Sequence, residues 1–90
     1  MSERVNTVVA GDNAGATVVW DGNSLKIAGF MFPICQIDKN SVFTYSLVEA
    51  QKKGFFGGFN YLVDVEFSDG RKSLLFLNDA YYQRLIRILY

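Results

Sequence analysis

The stretch Phe59-Asn60-Tyr61-Leu62-Val63-Asp64-Val65-Glu66-Phe67 alternates apolar and mostly polar residues, the period of two that a pleated strand imposes on its side chains. Phe59, Tyr61, Val63, Val65 and Phe67 share one face. Asn60, Leu62, Asp64 and Glu66 take the other, turned to solvent over most of its length. Ser68-Asp69-Gly70-Arg71 supplies a turn and residues 72–77 return as a second strand, because glycine gives the positive φ that tight hairpins need. Asn78 then opens a helix: its short amide caps the free N–H groups, and Asp79 suits the positive end of the dipole. Tyr81, Leu85, Ile88 and Leu89 recur at i, i+4, i+7 and i+8, with Tyr82 and Ile86 widening the stripe. Gln83, Arg84 and Arg87 lie on or beside the polar side, the arginines late, where the dipole favours cations.

Further strands precede this unit. Residues 5–10 read as a short first strand after a frayed tail at 1–4, and Gly11-Asp12-Asn13-Ala14-Gly15 as a turn. Residues 16–20 are rich in β-branched side chains, Asp21-Gly22-Asn23 signals a hairpin, and residues 24–28 place Leu25 and Ile27 on one face. Residues 30–37 form a fourth strand with Pro33 near its start or on an edge, where a missing N–H does least harm. After the turn Asp38-Lys39-Asn40, a strand at 42–50 is expected to set Phe43, Tyr45, Leu47 and Glu49 on one side and Val42, Thr44, Ser46 and Val48 on the other. Residues 51–58 read as a loop. The expected fold is mainly β with one C-terminal α-helix: about seven antiparallel strands in two sheets packed at a steep angle. The helix closes the open end of a core that so small a barrel or sandwich cannot close itself.

Ninety residues make one domain, 1–90. A chain of this size buries roughly 60–65 % of its unfolded surface, which leaves little stability in reserve. Half the residues are apolar and 16% aromatic, which excludes a disordered chain. Nine basic and nine acidic residues cancel, so the chain lacks the positive footprint of a nucleic-acid binder. Cys35 is the single cysteine, so no intramolecular disulfide forms, which fits a reducing compartment. The polar N-terminal residues 1–6 have no signal-peptide core, and the apolar runs are far below a membrane span. The expectation is a soluble cytoplasmic protein, with self-association favoured by its neutrality and aromatic content.

The opening hairpin Val19-Trp20-Asp21-Gly22-Asn23-Ser24-Leu25-Lys26-Ile27, the segment Lys53-Gly54-Phe55-Phe56-Gly57-Gly58-Phe59, and the Asp69-Gly70 hairpin with its final helix together resemble the pleckstrin-homology-like superfold, in particular its short bacterial and phage members. The likeness covers nearly the whole chain in topology. It implies a PH-like barrel whose members bind phosphoinositides, peptides or proteins, or only oligomerise. Two departures matter. The tryptophan that eukaryotic members carry in the final helix is absent, and the only tryptophan is Trp20. The loop matching the lipid-binding one, residues 11–15, holds Asp12 and no basic residue, so phosphoinositide binding does not carry over.

Lys52-Lys53-Gly54-Phe55-Phe56-Gly57-Gly58 is the most suggestive loop. Lys52 and Lys53 attract anionic headgroups or a partner while Phe55 and Phe56 bury apolar area. In the plainer reading one phenylalanine plugs the barrel and the glycines shape the turn. Two lysines contribute only about 2 kcal/mol at a membrane surface, too little to anchor alone. Of the adjacent Tyr81 and Tyr82, one is expected in the core and the other, Tyr82, on the surface as a contact residue. Phe30-Met31-Phe32-Pro33 reads as a strand buried on one face rather than a dimer contact. Asp64 and Glu66 share a face, but no histidine or third acid completes a metal site. With no histidine to activate it, Cys35 reads as a structural thiol. Residues 54–58 match neither a phosphate loop nor a dinucleotide fingerprint, so no cofactor is expected. Nucleic acid is unlikely as a partner, because the carboxylates of the sixth strand repel phosphate. A basic strip of Arg71, Lys72, Arg84 and Arg87 requires the seventh strand and the helix to share a face. These readings converge on a non-enzymatic module acting through contacts with a protein partner or with itself. Peripheral binding to anionic lipid through residues 52–58 is the alternative.

Overall fold

The computed structural model describes residues 5–29, 33–52 and 58–90. Seven strands precede one helix: β1 (Thr7–Gly11), β2 (Thr17–Trp20), β3 (Leu25–Ala28), β4 (Pro33–Ile37), β5 (Val42–Lys52), β6 (Phe59–Phe67), β7 (Lys72–Asn78) and α1 (Asp79–Leu89). All neighbours are antiparallel, in the order β4-β3-β2-β1-β7-β6-β5. The architecture is therefore one continuous sheet, where two packed sheets were expected. The reason is β1, which pairs with β2 on one side and β7 on the other and so joins both meanders.

Chain order forces this sheet to curl. β4 and β5 are consecutive yet lie at opposite edges, and only the turn Asp38-Lys39-Asn40-Ser41 joins them. Asp38 Oδ1 accepts from the Asn40 and Ser41 N–H groups at 2.9 and 2.8 Å, and Ser41 Oγ donates to the Gln36 carbonyl at 2.6 Å. Ser68 N–H, from the β6–β7 turn, donates to the Ser41 carbonyl at 2.8 Å and ties the corner to the sheet's far half. The two edges meet at this corner and then part, and no β4–β5 ladder forms among the described residues. The result is a half-barrel, open along one side.

Its concave face is the core. Val8, Val18, Leu25, Ile27, Ile37, Val63, Val65, Phe67, Leu75 and Leu77 are buried there with Leu85 of the helix. Leu25 and Ile27 share a face as the alternation requires, and so do Val63, Val65 and Phe67. Tyr81, Tyr82, Ile88 and Leu89 pack half-buried against the same cluster. Both tyrosines thus cover the core, and the expected division into one core and one surface ring does not hold. The helix stripe is wider than Tyr81 alone defines.

Caps and turns follow the local chemistry. Asn78 accepts from Tyr81 N–H at 2.9 Å as the N-cap. Asn6, at φ 60, donates its N–H to the Phe76 carbonyl, accepts from Val18 N–H at 2.8 Å, and accepts from Asn78 N–H at 3.0 Å through its side chain. One asparagine in the left-handed region, which this residue type tolerates, therefore links β2, β7 and the start of the helix.

Strand β5 departs from its expected alternation. Val42, Tyr45, Leu47, Ala50 and Lys52 oppose the inward series of β6, and the register slips at Phe43 and at Val48. Each slip is a bulge, one extra residue that the partner strand does not match. Val42 therefore joins Tyr45 on the concave side, and Glu49 moves to the outer one.

Candidate interaction surface

The distal half of β5 lies outside the core cluster. Val42 and Tyr45 pack against the cluster, whereas every residue from Ser46 to Lys52 is exposed. Opposite them on β6, Phe59 and Asp64 are exposed, Asn60, Tyr61 and Leu62 are half-buried, and Val63 is buried. The β5–β6 ladder thus forms an exposed margin of the sheet, with β7 paired along the inner side of β6 from Asn60 to Glu66. It still carries apolar side chains: Leu47 is 47%, Val48 58% and Phe59 45% exposed, and Phe43, nearer the body, is 73% exposed. The outer edge of β5 pairs with no strand among the described residues. An unpaired edge offers a row of free N–H and C=O groups, and its bulges and the charged Glu49 and Lys52 are the usual restraints on unwanted pairing.

An aromatic series joins the end of β5 to the helix. Lys52 lies opposite Phe59, Phe59 lies 6.3 Å from Tyr61, and Tyr61 stacks on Tyr82 at 4.0 Å. Of the residues singled out in the sequence, Lys52 and Tyr82 are thus the two ends of one series, with Tyr82 turned into packing rather than left free. Lys53, Phe55 and Phe56 lie outside the described residues, as do Phe30, Met31 and Phe32. Phe43, Leu47 and Val48 were not singled out. Their signal was a strand with apolar residues on both alternating sets, which a half-buried strand does not need.

The remaining candidates separate. Asp64 is exposed and Glu66 half-buried on one face, and no group of three or more acidic or cysteine ligands forms among the described residues. Cys35 is half-buried, and burial pushes its thiol above the ordinary range although Arg71 opposes the shift. That is the reverse of an activated nucleophile. The basic strip does not assemble. Arg71 pairs with Asp69 at 2.7 Å and lies over Phe67, the Lys72 backbone is bonded to Asp12, and Arg84 sits on Trp20.

The surface grooves are open and shallow. One of about 210 Å³ runs between β5 and the helix end, lined by Lys39, Val42, Phe43, Tyr45 and Leu89. Another of about 350 Å³ lies on the convex face beside Val48, Asp64 and Leu74. Neither encloses converging polar groups of the kind that orient a small substrate. Among the described residues no helix is long and apolar enough to cross a membrane. Comparison of the chain with protein-family models, with curated proteins and with solved structures finds no match.

Proposed function

We propose that this chain is a non-enzymatic, PH-like binding module, of the kind short bacterial and phage proteins carry, and that it acts through protein contacts along β5, its own copies included. The observation that carries this reading is the exposed edge strand. Leu47 and Val48 stand in solvent on a strand whose outer hydrogen-bonding edge is unpaired among the described residues. Exposed apolar side chains beside a free edge suit addition of a further strand, in which main-chain bonds supply affinity and alternate side chains supply specificity. The meander order with a terminal helix supports the PH-like assignment, and net neutrality leaves no self-repulsion to oppose contact between copies.

Sedimentation velocity over a wide concentration range tests this. Wild type is expected to associate and Val48→Asp to remain monomeric with an unchanged melting temperature. A wild type that is monomeric throughout removes the self-association form, and a Val48→Asp protein that associates like wild type removes this surface.

A further inference from the structure

The geometry points to a carboxylate-binding site at Arg84, fitted to an acidic protein segment. The guanidinium carbon of Arg84 lies 4.6 Å from the centre of the Trp20 ring and 5.9 Å from that of Tyr81. Trp20 is itself packed against the core, so the platform is fixed. Ring stacking engages the face of a guanidinium and leaves its in-plane N–H donors free, which is the geometry that grips a carboxylate with two parallel bonds.

No carboxylate of the described residues fills that role. The two ion pairs among them are Lys26 with Asp21 and Arg71 with Asp69. Asp21, next in sequence to Trp20, also accepts from the Asn23 and Ser24 N–H groups. Asp79, at the far end of the helix, accepts from the Tyr61 hydroxyl. Arg87 follows one turn after Arg84, in the last turn of α1, and residues so spaced are neighbours on a helix surface. Two cations with no acidic partner among the described residues, one of them over a tryptophan ring, favour a segment bearing two carboxylates about a helical turn apart.

Phosphate suits the place less well. Phosphate sites gather backbone N–H groups from glycine loops or helix N-termini. Arg84 is the central residue of α1, away from the free N–H groups of its first turn.

Trp20 is the only tryptophan, so its emission reports on this site. The test titrates the protein with a short oligoglutamate peptide, an oligoglutamine peptide, inorganic phosphate and phosphatidylserine vesicles. Binding is read from Trp20 emission and from anisotropy of the labelled peptides. Saturable binding of oligoglutamate that weakens with salt is expected, with a loss of about tenfold or more in Arg84→Gln, the scale of a charge-assisted hydrogen bond. Arg84→Lys keeps the charge but not the planar fork, and is expected to lose most of the affinity while melting like wild type. Equal binding of oligoglutamine, wild-type affinity in either variant, or tighter binding of phosphate or vesicles would overturn the assignment.

Discussion

Tyr61 and Tyr82 stack with ring centres 4.0 Å apart and planes 16° from parallel, and the Tyr61 hydroxyl donates to Asp79 Oδ1 at 3.2 Å. This pair holds the helix against β6. Truncating Tyr82→Ala removes the stack and half-buried apolar area together and should destabilise the fold by about 2 kcal/mol. Tyr61→Phe keeps the ring and deletes only a solvent-facing hydrogen bond, so its cost should stay below about 0.5 kcal/mol. Urea denaturation of both variants checks the difference. Equal costs would mean that the hydroxyl, and not the stack, seats the helix.

Gly11 and Gly15 separate backbone strain from steric conflict. Both have positive φ, +83 and +94. A side chain at Gly11 would collide with the Lys72 carbonyl oxygen, whereas nothing stands near Gly15. Gly15→Ala should cost about 1 kcal/mol, the conformational penalty alone. Gly11→Ala should cost about 3 kcal/mol, because β1 must also move away from β7. Melting curves of the two variants decide it.

These contrasts mark how far the sequence could be read. Strand β6, the Asp-Gly turns and the Asn78 cap were legible because each rests on a local rule: period two, positive φ, a short amide before an amphipathic run. The Gly11 contact and the joining of two meanders through β1 were not, since they depend on residues some sixty positions apart in the chain, Asp12 and Lys72 among them. The bulges at Phe43 and Val48 escaped for a related reason. Alternation in β5 looks regular until the partner strand imposes its register. Arg84 read as a polar-face residue because helical spacing says nothing of Trp20, on a distant strand.

Acid sensitivity should arise in the turns. Backbone N–H groups of Asn23 and Ser24 first, and then Lys26, hold the Asp21 carboxyl well below its usual range. Ser41 chiefly lowers the pKa of Asp38, and Arg71 that of Asp69. A carboxylate with a lowered folded pKa stabilises the fold above its unfolded value, about 3.9, and this contribution fades as pH falls through the lower folded value. The melting temperature should therefore be flat with respect to these groups above about pH 5 and decline below about pH 4. Asp38→Asn retains an Oδ1 acceptor without a proton to gain, so its curve should decline less steeply. An identical acid limb would exclude this turn as a contributor.

Cys35 should be a slow thiol. Burial disfavours its thiolate, and the thiolate is the reactive form. Its reaction with an aromatic disulfide reagent at pH 8 should run about tenfold or more slower in the folded protein than in urea. Comparable rates would show that the β3–β4 edge opens readily.

The bulge at Val48 yields a contrast between two deletions. Removing Val48 leaves Leu47 opposite Val63 and Glu49 opposite Leu62, the partners they already have, so the ladder closes without displacing any side chain from its face. The residue removed is exposed, and the cost should be below about 1 kcal/mol. Asp64 is equally exposed but lies on a strand paired on both sides, with Ser46 and with Leu74. Its deletion shifts one half of β6 by a residue against both neighbours and turns either Val63 or Val65 out of the core, because a slip of one reverses every face. That variant should fail to fold cooperatively. Deleting Val48 also removes one of the two apolar side chains of the proposed contact surface, so the variant should associate less strongly than wild type. Circular dichroism melts and sedimentation of the two deletions check both claims, and a Val48 deletion as damaging as that of Asp64 would show that the bulge is required by the fold.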